Sequence, residues 1–107
     1  MKTLADDASL RDIQAHLAET CKQNGWDQNT IFEVYLLFSE ESGELAKAIR
    51  KMTGFKGEKR PVGTEENLKE ELADTLNYLL EIANRFDVDL TQAYKDKFTK
   101  NLDRTWD

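Results

Sequence analysis

The sequence predicts an all-α fold, on three observations. Apolar residues recur at helical spacing in four separate segments, each opened by a capping residue or capping box. No stretch alternates apolar and polar residues as a half-buried strand would. One proline and five glycines leave long uninterrupted runs for helices. At 107 residues, 39% hydrophobic and 34% charged, the chain (residues 1–107) suits a single soluble domain with a modest core. The expected architecture is a four-helix antiparallel, bundle-like protomer.

The first helix is expected from about Ser9 to Lys22. Ser9 is its N-cap with Asp12 three residues on, and Leu10, Ile13 and Leu17 form the buried stripe. Asn24 and Gly25 end it, and Trp26 sits in the link that follows. The second runs from about Thr30 to Met52, opened by a capping box in Thr30 to Glu33 and closed by Gly54. A loop follows from Gly54 to Gly63, with three of the five glycines and the only proline. Its Lys56, Lys59 and Arg60 read as solvated loop charges. The third helix is expected from about Glu65 to Phe86 behind Thr64 as N-cap, with Leu68, Leu72, Leu76, Leu79, Ala83 and Phe86 on one face. The fourth starts after Asp89 and carries Leu90, Ala93, Tyr94, Phe98 and Leu102.

Composition narrows the function classes. The formal net charge is −6, so the bulk surface repels nucleic acid and anionic lipid. The opening MKTLADDASL has neither the basic stretch nor the apolar run of a secretory signal, and no segment is apolar enough to span a bilayer. These features imply a cytoplasmic protein with no nucleic-acid or membrane partner. The lone Cys21 excludes an internal disulfide and lacks a basic neighbourhood that would activate it. The start of the second helix, Ile31 to Phe38, is apolar nearly all round, which calls for burial on more than one side. In so small a chain a second copy is the natural cover, so a homodimer or a homotetramer (a dimer of dimers) is expected.

The chemistry is carried by two acidic pairs, Glu41/Glu44 on the second helix and Glu71/Asp74 on the third. Each pair is spaced i, i+3, which puts both carboxylates on one side of its helix. At about 100° per residue, Glu41 and Glu44 fall within the stripe of Val34, Leu37, Phe38, Leu45, Ala48 and Met52. Charges on an apolar face are costly to desolvate unless something compensates them. Glu71 and Asp74 flank the leucine face of the third helix, with Tyr78 one turn on. In a hairpin of the two helices the four carboxylates lie opposite one another, and an oxygen-only ligand set suits a hard ion such as Mg²⁺, with Mn²⁺ as a substitute. A di-iron bundle would need Glu-x-x-His motifs, and the single His16 lies in none. Glu40, Glu70 and Glu81 fall away from the apolar stripe and read as solvated charges, with Lys47 and Lys51 on the side of Glu40.

These motifs, Leu-x-x-Glu-Glu-Ser-Gly-Glu-Leu-Ala and Glu-Glu-Leu-Ala-Asp-Thr-Leu with 26 residues between Glu44 and Glu71, resemble the MazG-like all-α nucleotide pyrophosphohydrolase superfamily. The closing Lys97-x-x-x-Asn101-x-x-Arg104 and Trp26 ahead of the acidic helix are also similar, so the likeness runs from His16 to Arg104. It implies Mg²⁺-dependent hydrolysis of a (deoxy)nucleoside triphosphate between the α- and β-phosphates, giving monophosphate and pyrophosphate, a reaction suited to nucleotide-pool house-cleaning. Glu41, Glu44, Glu71 and Asp74 would be the metal ligands. Tyr78, Lys97 and Asn101 would contact phosphate or sugar, with Arg104 one turn further along the same polar edge. Trp26 and His16 would help to form the nucleobase pocket, although each could equally be a packing residue. Either Glu40 or Glu44 would take the proton of the attacking water.

Two other readings share these residues. One keeps the fold and metals but takes a nucleotide derivative such as phosphoribosyl-ATP. The other is a non-catalytic helical module that binds a partner through the apolar start of the second helix, which leaves the acids on the apolar face unexplained.

Overall fold

The computed structural model describes residues 3–57 and 59–104, so Glu58 of the basic loop and the last three residues lie outside the described structure. Among the described residues there are four α-helices and no strand. They are α1 (Leu10–Gln23), α2 (Ile31–Thr53), α3 (Thr64–Arg85) and α4 (Leu90–Asp103), with short 3-10 turns at Trp26–Gln28 and Phe55–Gly57. None of these helices is long and apolar enough to cross a membrane.

The helix starts follow from their caps. The Ser9 hydroxyl accepts from the Asp12 amide while the Asp12 carboxylate accepts from the Ser9 amide, each at 3.0 Å. Thr30 and Glu33 repeat the arrangement at the head of α2. Asp89 caps α4 by accepting from the Gln92 amide. The expected cap of α3 is different. Thr64 is inside the helix and buried, and its hydroxyl and amide both donate to the Pro61 carbonyl. The residue ahead of it is Gly63 at φ 84°, a left-handed conformation that glycine adopts without the usual Cβ clash.

Packing is centred on the hairpin of α2 and α3, with α1 laid against α3. Val34 and Leu80 are fully buried, and Leu17, Cys21 and Leu80 form a small core bordered by Leu10, Ile13 and Leu90. Burial pushes the Cys21 thiol up to about 11, with the Glu81 charge adding to the effect, so it stays an unreactive packing group.

Two expectations about the core are corrected. The α3 stripe of Leu72, Leu76, Leu79 and Phe86 remains largely open, because α1 and α2 cover the sides of α3 that carry Leu80, Ala83 and Glu71. Glu81, expected in solvent, is only 8% exposed, because α1 docks over it. The start of α2 is open as well, with Phe32 79% and Leu36 68% exposed. No residue of α4 is buried, and its Tyr94, Phe98 and Leu102 face outward. The radius of gyration, 16.8 Å, exceeds the roughly 13 Å of a compact chain of this length.

Besides the packing of Leu90 against the core, what holds α4 is polar. The buried Gln14 side chain donates to the Val88 carbonyl at 2.6 Å and to Asn84 Oδ1 at 3.1 Å, and accepts from the Leu90 amide at 3.2 Å. Asn84 returns a bond to the Gln14 carbonyl, and Arg11 pairs with Asp89 at 2.9 Å outside the clamp. Replacing Gln14 with Leu keeps the volume but strands these groups. The expected result is a loss of about 3 kcal/mol in urea unfolding, with a helical circular-dichroism spectrum retained in the absence of denaturant.

Candidate functional site

The hairpin carries a continuous line of residues along its seam, polar throughout except for Leu37. On α2 the residues Leu37, Glu41, Glu44, Lys47 and Lys51 succeed one another at helical spacing. On α3 the sequence Thr64, Asn67, Glu71, Asp74, Tyr78 and Glu81 does the same. The pairing of these lines produces three zones.

The middle zone is acidic. One carboxylate oxygen from each of Glu41, Glu71 and Asp74 lies within 4.8 Å of the other two. Glu41 and Glu71 are partly buried, and Glu71 Oε2 is buried with no hydrogen-bond donor. A hydrogen bond with Glu71, then desolvation and the charges of Glu71, Asp74 and Glu40, raise the Glu41 carboxyl to about 7. No cation is among the groups acting on it. An orphaned buried carboxylate oxygen beside two more, with oxygen donors only, is the ligand set of a hard divalent cation. These residues therefore fit a metal of that class. Glu44, one turn further on α2, is exposed and stands outside this group of three, and Glu40 is exposed beside it.

The second zone is a cavity of about 270 Å³ at the Tyr78 end of the seam. Leu17 and Leu37 form its apolar walls, and Trp26, Asn29, Asn77, Tyr78 and Glu81 bring polar or aromatic groups. The 3-10 turn sets Trp26 at its mouth, where Arg85 Nη2 donates to the Trp26 carbonyl at 3.3 Å. Burial raises the Tyr78 phenol above its ordinary value, with the charges of Glu41, Glu81, Asp74 and Glu40 adding to it, so Tyr78 keeps its proton and remains a donor. His16 lies on α1 but does not line this cavity.

The third zone lies beyond Glu44. A groove, also of about 270 Å³, is bounded by Glu44, Lys47, Lys51, Asn67 and the turn from Pro61 to Thr64 that opens α3. Two ammonium groups and a helix N-terminus give it the potential to attract anions. The spacing of Lys47 and Lys51 reads as surface decoration in the sequence, since the return of the chain through Pro61 makes the other wall.

Lys97 and Asn101 are on α4, which packs against α1, and Arg104 is the residue that caps its end. None of the three lines the cavity, the groove or the carboxylate group. Lys56 rests over the Phe55 ring at 5.5 Å and Arg60 donates to Met52 Sδ, so these two loop cations cover their own neighbours.

Residues 29–105, more than half of the chain, match the model of the MazG nucleotide pyrophosphohydrolase domain family. No curated protein sequence matches the chain.

The carboxylate group makes a pH-dependent contribution with a defined sign. Folding lifts the Glu41 carboxyl from 4.5 to about 7, so between these values the folded chain keeps a proton that the unfolded chain releases. Stripped of divalent ions, the protein is expected to lose stability as pH rises from about 4.5 to about 7, and to stay at the lower level above that. Urea midpoints in EDTA at pH 5.5 and pH 8 measure this. Glu41→Gln should flatten the difference, and Mg²⁺ or Mn²⁺ should restore the pH 8 midpoint of the unaltered chain.

Proposed function

The chain belongs to the MazG nucleotide pyrophosphohydrolase family, and we propose that within it the chain is a Mg²⁺-dependent hydrolase of (deoxy)nucleoside triphosphates, releasing monophosphate and pyrophosphate. The observation that carries this reading is the order of the three zones along one seam. An aromatic cavity, a carboxylate group and a basic groove follow one another in the order of base, α-phosphate and terminal phosphates. From Leu37 to Lys51 the seam is about 20 Å long at 1.5 Å per residue, long enough for an extended nucleoside triphosphate.

Each zone has a role in this proposal. Trp26 stacks on the base, and Tyr78 donates to the sugar or the first phosphate. Glu41, Glu71 and Asp74, joined by Glu44 from the next turn, hold the metal. A divalent ion held there would supply Lewis-acid chemistry, polarising phosphoryl oxygens, activating water and offsetting charge on the leaving pyrophosphate. Either Glu40 or Glu44 takes the proton of the attacking water as its oxygen bonds to phosphorus and the α–β anhydride breaks. Lys47 and Lys51 neutralise the terminal phosphates and release them as pyrophosphate.

The functional unit we propose is a homodimer, or a dimer of dimers, formed by this single domain. The exposed apolar residues of α2, α3 and α4 support it, as does an extended protomer whose fourth helix has no fully buried residue. In such an assembly Lys97 and Asn101 of one copy reach the seam of the other, with Arg104 at the end of that edge. The acidic balance and the absence of a membrane-spanning helix among the described residues support a cytoplasmic setting without nucleic acid.

Incubation with a panel of canonical and modified triphosphates and Mg²⁺ is expected to give pyrophosphate, not orthophosphate, as first product. Glu71→Gln should bring release below detection while leaving the helical spectrum unchanged; unaltered turnover would refute the metal assignment. The dimer has its own test. Inactive Glu71→Gln and impaired Lys97→Ala chains, mixed and allowed to exchange, should regain activity, since one of the two mixed sites has all its groups. A monomeric mass by light scattering at micromolar concentration would overturn it.

A further inference from the structure

Glu81 has a place in the cavity that the proposed chemistry leaves unused. It lies on α3 one turn past Tyr78 and seven residues past Asp74, which is about 10 Å along the helix axis. Its side chain is more than nine-tenths buried, and it lines the cavity beside Trp26 and Asn77. No hydrogen bond or ion pair to it occurs among the described residues. Arg85, the expected i+4 partner, donates to the Trp26 carbonyl instead. Burial raises the Glu81 carboxyl above its ordinary value, partly offset by the Arg85 charge. The fully buried side-chain oxygens without a partner among the described residues are Glu71 Oε2 and Thr91 Oγ1, so those of Glu81 stay accessible, and it lines the cavity, where an occupant can supply donors to them.

We propose that Glu81 reads the base, selecting guanine nucleotides by accepting hydrogen bonds from adjacent N–H groups on the pairing edge. An ionised carboxylate offers two acceptor oxygens and no donor. Guanine presents a ring N–H next to an exocyclic amino group, two parallel donors that match them. Cytosine and adenine present an amino group next to a ring acceptor, and hypoxanthine keeps the ring N–H but lacks the amino group. With a triphosphate on the carboxylate group, the sugar crosses Tyr78 and the pairing edge arrives at Glu81. Asn77 adds an amide donor for the guanine carbonyl. A site built to pair with a polar group rejects the analogue that lacks it, because its own buried group is left unpaired.

This inference rests on the cavity being the base end of a nucleotide site, and its test separates the two. Steady-state kcat/KM for dGTP and dITP, which differ only in the 2-amino group, should favour dGTP by about tenfold or more. Glu81→Gln keeps the shape but replaces one acceptor with a donor, and should collapse that ratio toward one chiefly through KM. Equal use of dGTP and dITP by the unaltered enzyme, or an unchanged ratio in the variant, overturns the proposal. Calorimetric binding of dGMP and dIMP, in Mg²⁺ buffer, gives a readout that does not need turnover. If no triphosphate yields pyrophosphate but dGMP still binds more tightly than dIMP in a Glu81-dependent manner, the hydrolase reading fails and the base reading stands. If turnover is present and neither ratio depends on Glu81, the base reading alone fails.

Discussion

Like-charge repulsion across a helical seam is the constraint around which this molecule is organised. Glu41 on α2 and Glu71 and Asp74 on α3 are brought within a few ångströms of one another, with one oxygen of Glu71 cut off from any donor. Left to themselves, two such helices would gain by turning those acids outward. They are held facing by Val34 and Ala48, which are buried on α2, and by the docking of α1 on Leu80. The apolar packing sets the register, and the register concentrates the charge. The raised Glu41 carboxyl is the direct electrostatic signature of that compromise.

The same register orders what lies on either side. Because α2 and α3 run back along each other, a step toward Lys51 on one helix is a step toward Thr64 on the other. The cavity and the groove are thereby placed at opposite ends of the acidic zone. Electrostatics changes along the seam, from an aromatic end that carries the single Glu81 carboxylate, through a strongly negative middle, to a positive end at the α3 N-terminus.

Much of this was legible in the chain itself. The capping pairs Ser9/Asp12 and Thr30/Glu33 and the cap Asp89 placed three helix starts within a residue, since a cap acts through its immediate neighbours. The start of α3 was not readable the same way, because the left-handed Gly63 and the Pro61 carbonyl capture Thr64 together. The convergence of Glu41, Glu71 and Asp74 follows from i, i+3 spacing on two helices joined by a short loop. The burial of Glu81 does not, because it depends on where α1 docks, and helical spacing within α3 carries no information about that. The leucines of α3 mislead for the same reason: apolar spacing marks a face that wants cover but does not say whether the cover comes from the same chain. Lys97, Asn101 and Arg104 make a recognisable polar edge, but the elbow at Asp87 to Asp89 decides where that edge goes.

That elbow behaves as a bracket carrying a cantilever. Directional hydrogen bonds at Gln14 fix the angle at which α4 leaves the body, whereas oily contacts would have let it slide. The beam beyond the bracket is 14 residues long, roughly 20 Å at 1.5 Å per residue. A tilt of about 5° at the bracket therefore swings its tip by about 2 Å over that length. Modest chemical change at a single buried amide, outside the group of Glu41, Glu71 and Asp74, can thus re-aim everything mounted at the far end of the helix.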